Sequence, residues 1–139
     1  ALATSSDVPS LDTAYKLQTF EGVARMKTSE GKRTLPGAKQ VWRRLDAQGR
    51  LAEDVLSTAD DSQEGTPLLV PVMRGGQRVA PPESLETIRG RAAAEIGRLP
   101  AALRSLAPGP SPHPRVGAAL ARLAETVERR IESRERTEP

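Results

Sequence analysis

The sequence has no cysteine, a single histidine and very few aromatic side chains. Its 139 residues include one tryptophan, one tyrosine and one phenylalanine. Without cysteine the chain can form neither a disulfide nor a thiolate metal site, and one histidine is too few for the usual zinc sites. Much of the 37% hydrophobic fraction is alanine, which buries little apolar area. We therefore expect a thin core and some apolar surface that another segment or subunit covers.

The sequence also lacks long apolar runs and a large excess of either charge. Twenty-one Lys and Arg residues against 18 Asp and Glu residues leave a net charge of +3, whereas nucleic-acid-binding domains usually carry a larger or more concentrated positive charge. No stretch approaches the roughly 18 apolar residues of a membrane helix, and no signal-like segment opens the chain. We expect a cytoplasmic protein. The chain begins with alanine inside a polar segment, so we also expect a processed or truncated polypeptide.

The first half of the chain has the alternating pattern of strands. Residues 13–20 alternate apolar and polar side chains, which predicts a half-buried strand. Glu21 and Gly22 then turn the chain into an antiparallel return over residues 23–27. Residues 41–45 are predicted to form a further strand, in which Trp42 faces inward while its two neighbours face the other way.

The pattern continues with two more predicted strands. Residues 53–58 form one of them, after a turn in which Gly49 can take positive φ. Residues 67–74 are almost continuously apolar, which favours a strand buried on both faces. Gly75 and Gly76 then make a tight turn into the next short strand. This half is therefore predicted to be a small antiparallel sheet.

The second half has the period of amphipathic helices. Apolar residues recur at steps of three and four in two stripes, which comprise Leu85, Ile88, Ala92, Ile96 and Leu99, and then Val116, Leu120, Leu123, Val127 and Ile131. A proline-rich connector at residues 107–114 separates the stripes. Because the strands come first and the two amphipathic helices follow, the predicted fold class is α+β.

Several polar groups could in principle carry chemistry. His113 stands between two prolines with no carboxylate or nucleophile nearby in sequence, so we interpret it as a surface histidine. The acidic residues Asp60, Asp61 and Glu64 lack the spacing of a calcium loop and fit a solvated turn. The hydroxyls of residues 4–7, TSSD, could hold a phosphate or a ribose, or could equally cap a helix.

The most basic stretch is SEGKRTLPGAKQVWRR, residues 29–44. Counted from Arg25, the region up to Arg44 has seven Lys or Arg residues and one acid, Glu30. A phosphate grip is physically reasonable, but Trp42 is the only aromatic residue available for stacking on bases. A nucleic-acid grip, a phosphate-binding loop and a solvated or interface hairpin all remain open on composition alone.

Three segments, in this order, resemble the C-terminal part of bacterial nicotinate phosphoribosyltransferases: ATSSDVPSLDTAYKL, KTSEGKRTLPGAKQVWRR and PLLVPVMRGGQRV. The positions that match the family pattern are Thr4, Ser5, Asp7, Pro9, Leu11, Tyr15, Lys16, Leu17, Lys27, Ser29, Lys32, Thr34, Pro36, Gly37, Lys39, Trp42 and Arg43. The helical segment that starts near residue 81 also looks like the family's C-terminal helices. The resemblance covers nearly the whole chain.

The resemblance implies an enzyme that joins nicotinate to phosphoribosyl pyrophosphate with ATP hydrolysis, and so makes nicotinate mononucleotide for NAD synthesis. It further implies an α/β barrel with a flanking domain, working as a homodimer with Mg²⁺. Residues 1–20 would then be the end of the catalytic barrel, and residues 21–139 the α+β flanking domain.

The resemblance also implies which residues of this chain meet substrate. The family's catalytic histidine and Gly-Thr phosphate loop lie upstream of the matched segments, so we expect no catalytic residue and no metal ligand here, and no activity or bound cofactor for the chain alone. Thr4 and Ser5 would adjoin the phosphoribosyl phosphate site. Lys32 and Lys39 are the further candidate substrate-binding residues.

Two alternatives from other classes remain. A small basic module could bind RNA or another polyanion through Lys32, Arg33, Lys39, Arg43 and Arg44. A non-catalytic assembly module could instead use the helices at residues 82–99 and 116–133 to cover a partner.

Overall fold

The computed structural model describes residues 16–105 and 113–136. Its first element is a short hairpin of β1 (Thr19–Phe20) and β2 (Val23–Ala24). Glu21 and Gly22 between them have φ of 49° and 73°, and positive φ at both central residues is what a type I′ turn requires. The predicted hairpin is therefore confirmed, with strands shorter than expected; residues 13–15 lie outside the described residues.

The central hairpin pairs β3 (Lys39–Leu45) with β4 (Leu51–Thr58) in antiparallel register. Asp46 shapes the turn, because its Oδ1 accepts hydrogen bonds from the backbone N–H groups of Gln48 (2.9 Å) and Arg50 (2.8 Å). Gly49 has a φ of 73° there, as the sequence predicted.

Two short strands, β5 (Thr66–Pro67) and β8 (Arg115–Val116), join the central hairpin. The strand β5 pairs antiparallel with β3, while β8 pairs parallel with β4, which gives a four-stranded sheet in the order β5-β3-β4-β8. The sheet is therefore mixed rather than purely antiparallel. Val116 belongs to this strand, so the prediction that it starts the last helical stripe is wrong. Gly117 N-caps the helix that follows.

The core lies between β4 and the long helix α3 (Ala118–Glu135). Leu120 and Val127 of the predicted second stripe are buried, as are Ala124 on the helix and Val55 on the strand. This is a small core, in agreement with the scarcity of large apolar side chains.

Trp42 lies directly opposite Val55 in the sheet, so it shares the face that packs on α3. Its indole N–H donates a 3.0 Å hydrogen bond to the hydroxyl of Ser57, which is fully buried. Arg43 lies on the other face, opposite Asp54. The predicted inward orientation of Trp42 agrees with this arrangement.

The first predicted helical stripe also forms a helix. The helix α1 (Leu85–Arg98) is capped by Ser84, whose hydroxyl accepts from the backbone N–H of Thr87, and the short α2 (Ala101–Arg104) follows after Pro100. None of the residues of α1 is buried. Its long-range polar link to the sheet is an ion pair between Glu95 and Arg43.

The prediction of a doubly buried strand over residues 67–74 is wrong. Residues 68–72 belong to no strand, and the whole segment is exposed. Pro67 and Pro71 lack backbone N–H donors, which confines such a segment to a sheet edge. Its two ends do pair: Pro67 pairs with Trp42 as part of β5, and β6 (Met73–Arg74) forms a hairpin with β7 (Gln77–Arg78) around the predicted glycine turn.

The fold class is α+β, as the order of strands and helices predicted. The structure adds a parallel edge strand and a third short helix to that prediction. Across residues 16–105 and 113–136, no helix is both long enough and apolar enough to cross a membrane.

Candidate anion-binding cleft

A cleft of about 730 Å³ opens beside the first hairpin. Lys27 and Thr34 close the loop along one wall: Thr34 N donates to Lys27 O at 3.0 Å, and Lys27 N donates to the Thr34 hydroxyl at 2.9 Å. Arg25 N donates to Gln18 O at 2.9 Å and extends the hairpin beyond β2. The lining residues are Lys16, Leu17, Arg25, Met26, Lys27, Lys32 and Thr34.

Lys32 stands at the tip of this loop. Its backbone N–H donates a 3.0 Å hydrogen bond to the carbonyl oxygen of Ser29. Gly31, between these two residues, has a φ of 66°. Within the described residues its ammonium group makes no ion pair, and its side chain is exposed to the cleft. It is therefore placed to meet an anion from outside this part of the chain.

A second cleft of about 390 Å³ continues the first one toward α3. Arg25 and Lys27 line both clefts, and Arg130 and Arg134 come from the helix. Arg130 also donates to the carbonyl of Ala24, which fixes the helix against the hairpin.

Among the residues that the structure describes, no carboxylate lines either cleft. The four cations that line the first cleft, Lys16, Arg25, Lys27 and Lys32, form no ion pair with the described residues. We call these four residues and Thr34 the cationic cleft. Lysine offers a mobile point charge and arginine a planar fork of donors, and both suit phosphate oxygens.

Lys39 is not among the described residues that line this cleft. Its ammonium donates to Gln18 Oε1 (2.9 Å), Leu35 O (2.8 Å) and Gly37 O (2.6 Å), which uses all three of its N–H donors. Burial lowers the pKa of Lys39. The side chain ties the Pro-Gly turn to the segment before β1, so it supports the wall of the cleft. A contact between Lys39 and substrate stays a prediction.

The other arginines of the basic stretch are paired with acids. Arg33 contacts Glu128 at 2.8 Å, and Arg44 contacts Glu53 at 3.2 Å. Arg43 donates hydrogen bonds to Asp54 and Glu95, and these bonds and the two negative charges raise its pKa, the bond to Asp54 most strongly. Of the five residues in the RNA-binding alternative, Lys32 alone has a side chain free of such bonds within the described residues.

The remaining candidates lie elsewhere. Thr4 and Ser5 are outside the described residues. His113 is exposed and lines a separate apolar cleft of about 360 Å³ between β4 and α2. In residues 16–105 and 113–136, no three His, Asp or Glu side chains are grouped so as to hold a metal ion.

The sequence did not single out Lys16, Arg25, Lys27 or Arg134 as site residues. Lys16 and Lys27 stand in the segments that carried the family resemblance, so a signal for them was present. Arg134 is separated from the loop by about 100 residues, and only the packing of α3 brings it near.

Most of this chain is similar in sequence to proteins of known function. No family model matches the chain. Nicotinate phosphoribosyltransferase pncB2 of Mycobacterium tuberculosis is 43% identical over 108 residues, which are 76% of this chain and 23% of that protein. Nicotinate phosphoribosyltransferase pncB1 of the same organism is 34% identical over 113 residues, 78% of this chain and 25% of that protein.

A solved structure agrees with the curated relatives. The crystal structure of human nicotinic acid phosphoribosyltransferase matches with a TM-score of 0.72 and 25% identity, over 82% of this chain and 26% of that one. Over the matched region, this chain therefore has the sequence and the fold of a domain that occurs in phosphoribosyltransferases. The relatives that it matches are nicotinate phosphoribosyltransferases, and it spans about a quarter of their length.

Proposed function

We propose that this chain is the C-terminal portion of a nicotinate phosphoribosyltransferase. The observation that carries the proposal is the 43% identity that covers most of this chain but only 23% of the relative. The full-length enzyme would transfer the phosphoribosyl group to nicotinate with ATP hydrolysis, work in the cytoplasm as a homodimer, and supply NAD biosynthesis. Residues 1–20 would complete the catalytic barrel, and residues 21–139 would form its flanking domain.

The cationic cleft is the part of this chain that would meet substrate. Phosphoribosyl pyrophosphate carries a phosphate and a pyrophosphate. Within the described residues the cleft has four cations without an ion pair and no carboxylate, which suits either group. Lys16, Lys27 and Lys32 would neutralise its charge, and Arg25 would bind two oxygens at once. The hydroxyl of Thr34 accepts from Lys27 N, so its hydrogen is left to donate to an anion.

The reaction itself would take place on residues outside the described part. Mg²⁺ takes oxygen ligands, chiefly carboxylates, waters and substrate phosphates, and the ammonium and guanidinium groups of the cationic cleft do not fit it. The metal would offset the charge of the leaving pyrophosphate. The role of the cleft would then be to orient the charged end of the substrate at a domain or subunit boundary.

The test is nicotinate mononucleotide formation by the full-length enzyme that contains this chain. Lys32→Ala should raise KM for phosphoribosyl pyrophosphate about tenfold, because a hydrogen bond to a charged group contributes about 1.5–3 kcal/mol. Arg104→Ala, which removes an exposed cation outside the cleft, is the matched control and should leave KM unchanged. An unmodified enzyme that forms no product would contradict the function, and equal KM values for both variants would contradict the role of the cleft.

A further inference from the structure

The second cleft, between residues 25–29 and helix α3, contains two arginines that the proposed function does not use. We call it the α3 cleft. Arg130 and Arg134 stand four residues apart on one face of the helix, and both line the cleft. Arg25 and Lys27 line it from the loop. Four cations therefore line a volume of about 390 Å³, and no carboxylate is among the described residues of its wall.

The four cations of the α3 cleft are available to an external anion. None of them forms an ion pair with the described residues. Arg130 uses one nitrogen, Nη2, to donate to the carbonyl of Ala24, which leaves its other guanidinium donors. The side chain of Arg134 is exposed and makes no hydrogen bond within residues 16–105 and 113–136. Each guanidinium can therefore offer two parallel N–H donors to a pair of anion oxygens.

Two hydroxyl groups add neutral donors to the same wall. Thr28 and Ser29 line the α3 cleft, and their side chains form no hydrogen bond with the described part of the chain. Each hydroxyl can donate one hydrogen bond to an anion oxygen. Guanidinium, ammonium and hydroxyl donors without a competing carboxylate are the groups that bind phosphate.

The two walls of the α3 cleft are held together by close packing and hydrogen bonds. A Cβ at Gly37 would meet Leu123 Cδ2 at 3.0 Å, so the loop lies directly against α3 at this point. The bond from Arg130 to Ala24 joins the helix to the first hairpin. On the loop side, Lys27 and Thr34 exchange two hydrogen bonds of 3.0 and 2.9 Å. A ligand would therefore enter a formed cleft and would not have to order its walls, which favours binding.

The apolar part of the α3 cleft restricts the ligand further. Met26, Val127 and Ile131 line it beside the cations. Inorganic phosphate would leave these side chains uncovered, whereas a phosphate ester would place its body against them. A volume of about 390 Å³ lies in the range of small-molecule sites, which combine an apolar lining with a few polar groups.

We propose that the α3 cleft is a second binding site, which takes a phosphate monoester with an apolar or planar body. Arg130 and Arg134 would bind the phosphate together with the hydroxyls of Thr28 and Ser29. The site is separate from the substrate-facing part of the cationic cleft, because the two helix arginines line the α3 cleft alone and Lys32 lines the first cleft alone. This binding does not depend on the proposed function.

Calorimetric titration of the full-length protein that contains this chain tests the proposal without an activity assay. Adenosine monophosphate is the probe, and adenosine and inorganic phosphate are its two halves. Arg134→Ala should weaken binding of the monophosphate about tenfold, because it removes a hydrogen bond between charged groups. Arg122→Ala is the matched control and should leave the affinity unchanged, since Arg122 is exposed on the same helix and lines neither cleft.

The two halves of the probe and a variant of the first cleft decide between this site and its rivals. Adenosine or inorganic phosphate should each bind at least about tenfold more weakly than the monophosphate, and equal affinity for either half would overturn a site for a monoester. Lys32→Ala should leave the affinity unchanged. A loss with Lys32→Ala and none with Arg134→Ala would place the probe in the first cleft and overturn the proposal, as would an unmodified protein that does not bind the monophosphate. Binding that depends on Arg134, in a protein that makes no nicotinate mononucleotide, would support this site and contradict the proposed function alone.

Discussion

Arg43 and Glu95 join the sheet to helix α1 through a 3.0 Å hydrogen bond that spans 52 residues of sequence. The same guanidinium makes a bidentate pair with Asp54 on the neighbouring strand, at 2.9 and 2.8 Å. One side chain therefore bridges two strands and a helix. Since α1 buries no residue in this chain, this bridge holds the helix near the sheet.

Replacing Arg43 by Gln should lower the free energy of unfolding by about 1–3 kcal/mol, because hydrogen bonds between charged groups are lost in a half-buried setting. Arg44→Gln, which removes a more exposed pair with Glu53, should cost less than about 1 kcal/mol. Urea denaturation of the chain measures both variants. Equal losses of stability for the two variants would show that the Arg43 bridge stabilises the fold no more than the exposed Arg44 pair does.

The hydrogen bond between Trp42 and Ser57 provides a second prediction. Ser57→Ala would leave the half-buried indole N–H without its acceptor, and should destabilise the chain by about 1–3 kcal/mol. Trp42 is the only tryptophan, so its fluorescence reports both the unfolding transition and the local change. A variant with unaltered stability and emission would contradict the structural role of this bond.

Two glycines with positive φ should differ in their tolerance of a side chain. A Cβ at Gly65 would overlap the carbonyl oxygen of Arg43, whereas one at Gly49 would meet nothing within 4 Å. Gly49→Ala should therefore cost about 1 kcal/mol of backbone strain, and Gly65→Ala about 3 kcal/mol. Thermal unfolding of the two variants compares them directly; an equal loss at both sites would count against the close approach at Gly65.

The sequence predicted the local elements well and their packing less well. The turn at Glu21 and Gly22, the hairpin of β3 and β4, and both long helices follow from short-range patterns. The strand over residues 67–74 did not form because its apolar side chains meet no second layer in this chain. The parallel pairing of β8 with β4 also has no local signal, since it joins residues about 60 positions apart.

For the candidate site too, the sequence predicted the local feature but not the long-range contacts. Charge density pointed to residues 29–44, yet Arg33, Arg43 and Arg44 turned out to be paired with acids. The ammonium group of Lys39 donates hydrogen bonds to backbone carbonyls of its own turn. Such pairing depends on which acids the fold brings near, and composition does not carry that information. Lys32 is the substrate-binding candidate that remains available for an external anion in the described part.

The turn at Asp46 predicts a pH dependence. Hydrogen bonds from the backbone, that of Arg50 first, lower the pKa of Asp46. A carboxylate with a lowered folded-state pKa stabilises the fold above its unfolded pKa of about 3.9, and loses that contribution as the pH falls through the folded value. Asp46→Asn should therefore be less stable than the unmodified chain at pH 7, and the gap should close as the pH falls below about 4. Urea titrations from pH 7 to pH 2 measure the gap, and a constant difference across this range would rule out the charge of Asp46 as its cause.

The most direct test of the whole account is a side-by-side assay of nicotinate mononucleotide formation by the isolated 139-residue chain and by the full-length enzyme, with nicotinate, phosphoribosyl pyrophosphate, ATP and Mg²⁺ present. We expect turnover by the full-length enzyme and none by the chain, because under the proposed function the catalytic residues would lie in the part of the enzyme that this chain does not span. Clear turnover by the chain alone, or none by either protein, would contradict the account.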